Sequence, residues 1–198
     1  MPLDSIFGNA SYYGGFVWAY GIQKDMWDAA ADSYRKNLGA LSKPTLITLI
    51  DYRVRSDEPR LWTLDFVGPF PIVVTRTLVS HGKGSGTGPI VTSVSRESGS
   101  NKSCVGGFVT RHIYQSTLGQ KDKSKSRPAM VLDGLDASNS NARLRGIRMH
   151  GAHYVSDTRA GTSLGCICCK QDIHEELIKL ICNGSFMFAY FGPDHVRL

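Results

Sequence analysis

The sequence predicts a mainly β (α+β) fold in which one helix precedes a β-sheet and a second helix follows it. Between residues 44 and 150, short runs of β-branched and aromatic residues alternate with Gly, Ser, Asn and Pro, as in strands joined by turns. Helical spacing is confined to residues 15–38 and to a segment beginning near Asp172. The 198 residues are 41% hydrophobic, enough for one sizeable core. We therefore expect a single domain over residues 1–198, with 1–40 as a helical extension packed on it.

The first helix is predicted over residues 15–38. Its apolar residues recur at intervals of three, four or seven, which places them on one helix face, and Gly39 follows as a stop signal. We expect the helix to pack through the face made of Phe16, Tyr20, Trp27, Ala31, Tyr34 and Leu38.

Seven strands are predicted between the two helices. The second shows the pattern most clearly, because Thr63 and Asp65 alternate with large apolar residues, as expected of a half-buried strand. In order, the strands are PTLITLIDY (44–52), RLWTLDF (60–66), PIVVTRTLVS (71–80), GPIVTSVS (88–95), GGFVTRHIY (106–114), PAMVLDGL (128–135) and GIRMH (146–150).

Two connections between these strands are predicted to be irregular. HGKGSGTG, residues 81–88, has the glycine content of a phosphate-binding loop, but it lacks the Gly-Lys-Ser/Thr ending and no helix follows it. We therefore expect a tight turn with His81 on the surface or lining a site, and a second irregular connection over residues 137–146.

The second helix is predicted to start at Asp172. Asp172 and Glu175 have the spacing of a capping box, in which each side chain binds a free backbone N–H at the helix start. SFMFAYF, residues 185–191, is then predicted to be a closing strand. The buried face and the end of the helix are indicated by Ile173, Leu177 and Ile181, followed by Gly184.

The formal charge of +6 favours an anionic partner, which could be a nucleic acid, a membrane surface or an acidic polymer such as bacterial cell wall. The densest basic run, residues 121–127, contains no aromatic residue, so it is interpreted as a solvated loop and no nucleic-acid partner is expected. No window approaches the ~20 consecutive apolar residues of a membrane span. The first residues, MPLDSIFGNASYYGG, do not resemble a secretory signal, since no Lys or Arg precedes their apolar patch.

His150 and Cys166 are the candidate catalytic pair. In GIRMH the alternation of side chains turns His150 to the face opposite the apolar Ile147 and Met149. Gly151 allows a sharp exit from the strand, and the following loop can return Cys166 to the ring. A free thiol with a pKa near ~8.5 needs such a neighbour to become a thiolate.

The sequence leaves two other roles open for the cysteines. Adjacent thiols at positions 166, 168 and 169, with His153 and His174, do not have the paired spacing of a zinc site, and we expect no metal. For Cys166, a buried thiol without chemistry is as plausible as a nucleophile. Buried, inert thiols are expected at Cys104, Cys168, Cys169 and Cys182.

A His-Gly pair followed by a loop and Ser-Leu-Gly-Cys, residues 163–166, resembles the active-site signature of the L,D-transpeptidase catalytic domain, whose members are cysteine enzymes of bacterial peptidoglycan. The similarity is strongest to the murein L,D-transpeptidase branch. It implies an L,D-transpeptidase-like mixed β-sandwich. It extends over LIDY (49–52), RLWTLDF (60–66), LVSHGKGSG (78–86), GFVT (107–110) with Tyr114, DGL (133–135) and NARLRGIRMHGAHYVS (141–156).

The resemblance implies a reaction without a cofactor. Cys166 would attack the carbonyl of the third residue of a tetrapeptide stem, expel the terminal D-alanine and form a thioester. His150 would activate the thiol and protonate the leaving amine, Gly151 would orient the ring, and the backbone around Gly165 and Cys166 would hold the oxyanion. Transfer to an amine would give a 3-3 cross-link or D-amino-acid exchange, and transfer to water would be L,D-carboxypeptidase activity.

The sequence departs from the family pattern at two positions. Leu164 replaces a histidine, and Cys168 stands where an arginine often falls, so that the substrate carboxylate needs another partner. The candidates for substrate binding are Ser163, His81, Arg145, Arg148 and Tyr114, with Arg111 as a further basic residue.

The expected location is the periplasm or cell wall, and the expected partners are peptidoglycan stem peptides. Two alternatives remain. One is an exported toxin with the same site, for which an immunity protein would be the partner. The other is a non-catalytic peptidoglycan-binding module.

Overall fold

The computed structural model describes residues 10–195 apart from residue 69. The predicted mainly β class is confirmed, since most regular elements of this part of the chain are strands. The N-terminal nine residues, on which the expectation about a secretory signal depends, lie outside the described residues. The elements are α1 Ala10–Ala19, α2 Lys24–Asn37, β1 Lys43–Asp51, β2 Leu61–Asp65, β3 Ile72–Thr77, β4 His81–Gly82, β5 Gly106–Ser116, β6 Arg127–Gly134, β7 Arg148–Gly151, β8 Thr162–Ser163, β9 Ile167–Cys169, α3 Gln171–Ile181 and β10 Ser185–Tyr190.

Eight of these strands form one mixed sheet in the order β3-β2-β1-β10-β5-β6-β7-β9, and β4 pairs with β8 in a separate ladder. The pairs β1–β10 and β7–β9 are parallel, and the other neighbours in the large sheet are antiparallel. The last strand in sequence therefore lies in the middle of the sheet. Every residue of β10 is buried, which suits an uninterrupted apolar run covered on both faces.

The two faces of the sheet carry separate cores. Helix α2 covers one face, where Trp27 and Tyr34 pack with Phe186. Helix α3 covers the other face, where Leu177 and Ile178 pack among buried residues of the central strands. The sheet is thus covered on both sides near its centre, and its β7–β9 end lies at an edge.

The helix predicted over residues 15–38 is two helices. Helix α1 ends at Ala19, and the chain turns through Gly21, whose φ of 84° is readily adopted only by glycine. Helix α2 starts at Lys24 and ends at Asn37, before a short 3-10 turn that contains Gly39. The apolar periodicity continues across the break, so it did not reveal the turn.

The strand predicted over residues 88–95 is not formed. The backbone N–H groups of Thr92 and Ser93 both bind the carbonyl of Ser85, and Ser95 binds Ser103. These bonds tie the segment to the 3-10 turn that ends at Ser85 and to Ser103, and they do not continue into a strand ladder. The irregular connection predicted at 137–146 is confirmed as a series of turns.

The helix expected after the cysteines is present, but the capping box is wrong. The helix starts one residue earlier, after Lys170, and no side chain caps it. The Asp172 carboxylate accepts the adjacent Ile173 N–H, and Glu175 binds Arg127 at 2.6 Å. Within the described residues, no helix combines the length and the apolar character needed to cross a bilayer.

Candidate active site

The candidate site lies at the sheet edge where β7 and β9 run parallel. The register pairs His150 with Cys168 and Met149 with Ile167. Since side chains alternate along a strand, Cys166 and Cys168 point to the same side, and both belong to one small apolar cluster. Continued by one residue before the Met149–Ile167 pair, the same register places Cys166 level with Arg148.

His150 is buried and hydrogen-bonded at both ring nitrogens. Nδ1 lies 3.0 Å from the carbonyl oxygen of Gly151, and Nε2 lies 3.3 Å from Sγ of Cys168. Burial lowers the pKa of His150, and the bond to Gly151 partly opposes this effect. The lowered pKa favours the neutral ring, and since a carbonyl only accepts, the proton of the neutral ring belongs on Nδ1. The predicted orienting role for Gly151 agrees with this contact, and a Cβ at Gly151 would come 2.9 Å from Cα of Gln171.

The predicted contact between His150 and Cys166 stays a prediction, because the ring in the structure contacts another sulfur. The sulfur in hydrogen-bond contact with the imidazole is that of Cys168, because the strand register, and not the Ser-Leu-Gly-Cys motif, decides which thiol faces the ring. Cys168 is fully buried, as predicted, but it is not without contacts. Its Sγ also lies 3.2 Å from the hydroxyl of Tyr154. Burial raises the pKa of Cys168, as does its neighbour Cys166.

Cys166 follows a tight turn that Ser163 closes. The Ser163 hydroxyl accepts the N–H of Gly165 at 3.0 Å and donates to the carbonyl of Cys166 at 2.7 Å. Gly165 has a φ of +116°, and a Cβ there would lie 2.9 Å from the carbonyl oxygen of Lys102. Glycine is thus required at 165 for conformation and for space. Ser163 thus shapes the turn, and its predicted role in substrate binding stays a prediction.

The Cys166 side chain is 9% exposed, whereas Cys168 is 0% exposed. Its Sγ lies 3.7 Å from the carbonyl oxygen of Gly146. Burial raises the pKa of Cys166, while the backbone N–H of Arg148 and the charges of Arg148 and Arg145 act in the opposite direction. Of Cys166 and Cys168, the more accessible is therefore Cys166, which is also the one with cationic neighbours.

The predicted basic residues separate into two groups. Arg145 and Arg148 lie close enough to Cys166 to influence its pKa. Arg145 also binds the carbonyls of Ser95 and Lys102, both at 2.8 Å, and so fastens two loops beside the turn. Arg111 instead pairs with Asp133 on the neighbouring strand at 2.7 Å.

Tyr114 lies in line with the candidate site across the sheet. It pairs with Ala129 of β6, which pairs with His150 of β7. Residues directly opposite one another project from the same face, so Tyr114 and His150 share a face two strands apart, about 10 Å. This position agrees with the predicted substrate-binding role, which stays a prediction.

His81 is not at the surface. Its ring is fully buried, and Nδ1 lies 3.0 Å from the guanidinium of buried Arg60. Burial and the nearby Arg60 lower the pKa of His81 to about 4. Only its backbone approaches the turn, since β4 pairs with β8 and places His81 opposite Thr162. His81 therefore supports the turn through its backbone pairing with β8, and its buried ring does not line a substrate site.

The histidines and cysteines considered as zinc ligands do not form a common site. Nδ1 of His153 lies 2.8 Å from the carbonyl of Gly119, and Nε2 of His174 lies 3.0 Å from that of Pro128. Among the described residues, no group of three or more His, Cys, Asp or Glu side chains has the geometry of a metal site. The five cysteines are all free thiols.

Sequence reasoning missed Cys168 and Tyr154 as members of the site. Tyr154 lies in the connection after β7, and no periodicity marks it. For Cys168 a signal existed: the alternation of residues 166 and 168 places both thiols on one side of a strand. The pairing of that strand with β7 was not evident, because β9 is only three residues long and was not predicted.

Residues 19–190 match the model of the L,D-transpeptidase catalytic domain. Among solved structures, the helical cell shape determining protein Pgp2 from Campylobacter jejuni shares 14% identity with a TM-score of 0.50, covering 75% of this chain and 48% of that one. A single-residue variant of Pgp2 shares 12% identity with a TM-score of 0.52, covering 87% of this chain and 58% of that one. An L,D-transpeptidase from Mycobacterium smegmatis shares 14% identity with a TM-score of 0.42, covering 74% of this chain and 58% of that one. The chain thus spans roughly half the length of these structures. No curated protein sequence matches it.

Proposed function

The chain belongs to the L,D-transpeptidase catalytic-domain family, and from that premise we propose that it is a peptidoglycan L,D-transpeptidase that works through a thioester on Cys166. The observation that carries the assignment to Cys166 is the tight turn over residues 163–166. It holds Cys166, which keeps 9% of its surface exposed, near two arginines that would attract a negatively charged stem peptide.

In the proposed reaction, the Cys166 thiolate attacks the carbonyl of the third stem residue. Ser163 already binds the N–H of Gly165, so we assign the oxyanion to the backbone N–H of Cys166 itself. Preorganised backbone donors of this kind typically contribute about 3 kcal/mol to transition-state stabilisation. Collapse of the tetrahedral intermediate breaks the amide bond, and D-alanine leaves with a proton supplied by His150. Gly165 serves the reaction through its conformation alone.

His150 is the proposed proton acceptor for the Cys166 thiol. Its lowered pKa favours the neutral form and its ring is bound by Gly151, both of which suit a base. Its Nε2 is bound to Cys168 in the resting site, so this nitrogen has to be released before it can serve Cys166.

Arg148 is the proposed partner of the substrate carboxylate. It takes over the task that an arginine two residues after the nucleophile often has in the family. It lies on the His150 side of β7 and level with Cys166, so a carboxylate bound there would hold the stem against the sulfur. The excess of 23 basic over 17 acidic residues favours the same anionic polymer.

We further propose that the acyl group passes to an amine and that the protein acts in the periplasm or cell wall. Transfer to water would make it an L,D-carboxypeptidase with the same thioester. Mass spectrometry of muropeptides incubated with the protein distinguishes the two. A free D-amino acid added to the mixture is exchanged into the stem by a transpeptidase, whereas a carboxypeptidase leaves tripeptides.

The same assay tests the function as a whole. We expect loss of D-alanine from tetrapeptide stems with the native protein and no change with Cys166→Ala. Unchanged muropeptides with the native protein, with and without added acceptor, would contradict the proposal and favour a module that only binds the wall.

A further inference from the structure

Cys168 contacts the base in the resting site, and the proposed reaction gives it no role. We propose that Cys168 restrains the base: its S–H occupies Nε2 of His150, and Cys166 is activated only after Cys168 releases that nitrogen. This inference rests on the proposed function of Cys166, and it concerns the step that precedes attack on the substrate.

The hydrogen bonds around His150 have only one consistent direction. The Gly151 carbonyl requires the proton on Nδ1, so Nε2 of the neutral ring is an acceptor. The thiol of Cys168 is then the donor at 3.3 Å. Because this uses the one thiol proton, the hydroxyl of Tyr154 donates to Sγ at 3.2 Å. A chain of donors therefore runs from Tyr154 through Cys168 to His150 and ends on Gly151.

The backbone of Cys168 is fixed on both sides, so release requires rotation of its side chain. On one side β9 pairs with β7. On the other, the Cys168 carbonyl accepts the N–H of Ser80 at 2.9 Å, and the Cys168 N–H donates to the Ser80 hydroxyl at 3.2 Å. A second acceptor for the thiol is at hand, since Sγ lies 3.7 Å from the carbonyl of Cys166. The thiol thus has two acceptors without any movement of the strand.

Burial argues against Cys168 as the nucleophile. Cys168 is 0% exposed and its sulfur is bound by the Tyr154 hydroxyl, whereas Cys166 keeps 9% of its surface exposed. The ring of His150 is oriented by Gly151 without help from the thiol. Removing the thiol of Cys168 should therefore free the base without losing its orientation.

The test uses the titration of His150. A donor bound to the neutral imidazole favours the uncharged ring, so loss of that donor should raise the pKa of His150. Other charges around the ring stay unchanged in the variant. The titratable groups near it are Lys123 in the loop before β6, His174 on α3, Tyr154 after β7, and Cys166 and Cys168 at β9.

In NMR titrations of the histidine ring signals, Cys168→Ala should move the midpoint of His150 to higher pH. Cys168→Ser keeps a donor and should stay close to the native midpoint. Cys169→Ala is the matched control, because this neighbouring thiol is buried and points to the opposite side of β9. Equal midpoints in all four proteins would overturn the proposal.

The second measurement is the rate at which Cys166 is acylated by a carbapenem, followed by intact mass against pH. Release of one hydrogen bond of ordinary net strength corresponds to roughly a two- to tenfold faster reaction in Cys168→Ala. The acidic limb of the pH–rate profile of Cys168→Ala should move to higher pH, by the same amount as the NMR midpoint of His150. A slower reaction in Cys168→Ala would overturn the proposal. An adduct that survives Cys166→Ala and vanishes in Cys168→Ala would also overturn it, and would make Cys168 the nucleophile. A native protein that neither reacts nor releases D-alanine would instead refute the proposed function, while the NMR midpoints still decide whether Cys168 holds the ring.

Discussion

Gly165 restricts the turn before Cys166 most strongly, both by its φ and by the space around it. Gly165→Ala should weaken both folding and activity. A left-handed φ costs a residue with a Cβ about 1 kcal/mol, and the new methyl would approach the Lys102 carbonyl at 2.9 Å. We expect a lower urea midpoint and D-alanine release reduced at least tenfold. Gly146→Ala is the control for the effect of φ alone. Gly146 has a φ of +71°, and a Cβ added there would meet no atom within 4 Å. Equal activity in the two variants would mean that the turn tolerates a shift at 165.

Arg148 tests the proposed substrate contact. Loss of a charge-assisted hydrogen bond to a carboxylate costs about 1.5–3 kcal/mol, which is roughly a 10- to 100-fold fall in kcat/KM. We expect Arg148→Gln to show this fall mainly as a higher KM for tetrapeptide stems. Arg111→Gln removes the same charge from a residue that pairs with Asp133, and it should leave KM unchanged. An equal KM in both variants would remove Arg148 from the site.

The elements of the fold were predictable where local pattern determines them. Most strands and the helix after the cysteines agree with the alternation and periodicity of their own residues. The break at Gly21 was not predictable from periodicity, because the apolar face continues through the turn. The segment 88–95 has the pattern of a strand but lacks a partner, and partners depend on the whole topology. For the same reason the sequence could propose Cys166 and His150 as a pair but could not show that the register places His150 beside Cys168.

The central position of β10 gives a prediction for this element. Phe188→Ala removes a fully buried ring between β1 and β5 and should lower the free energy of unfolding by about 3–5 kcal/mol. Ile72→Ala on the edge strand β3 is the control, because Ile72 is 63% exposed, and it should change stability by less than about 0.5 kcal/mol. Urea unfolding measures both. Similar losses in the two variants would contradict the central role of β10.

At the scale of the molecule, three buried histidines make stability depend on pH. Burial lowers the pKa of His150, and it lowers those of His81 and His174 to about 4. The folded state therefore binds fewer protons than the unfolded state at intermediate pH. The stabilising effect is complete above the unfolded pKa of about 6.5 and is lost as the pH falls through the folded values.

For His174 alone the loss by pH 4 is roughly 3 kcal/mol. We expect the urea midpoint of the native protein to fall between pH 7 and pH 4, and to fall less in His174→Gln. An unchanged pH dependence in that variant would show that His174 is not buried uncharged. Acid lability of this kind would arise from the interior of the protein and not from its positive surface charge.

The account as a whole depends on which sulfur forms the thioester. The most direct measurement is peptide mapping by mass spectrometry after incubation of the native protein with a tetrapeptide stem or a carbapenem. We predict an acyl adduct on the peptide that contains residues 163–170, assigned to Cys166 by fragmentation and lost in Cys166→Ala. An adduct assigned to Cys168, or native protein that stays unmodified while it remains folded, would contradict the account.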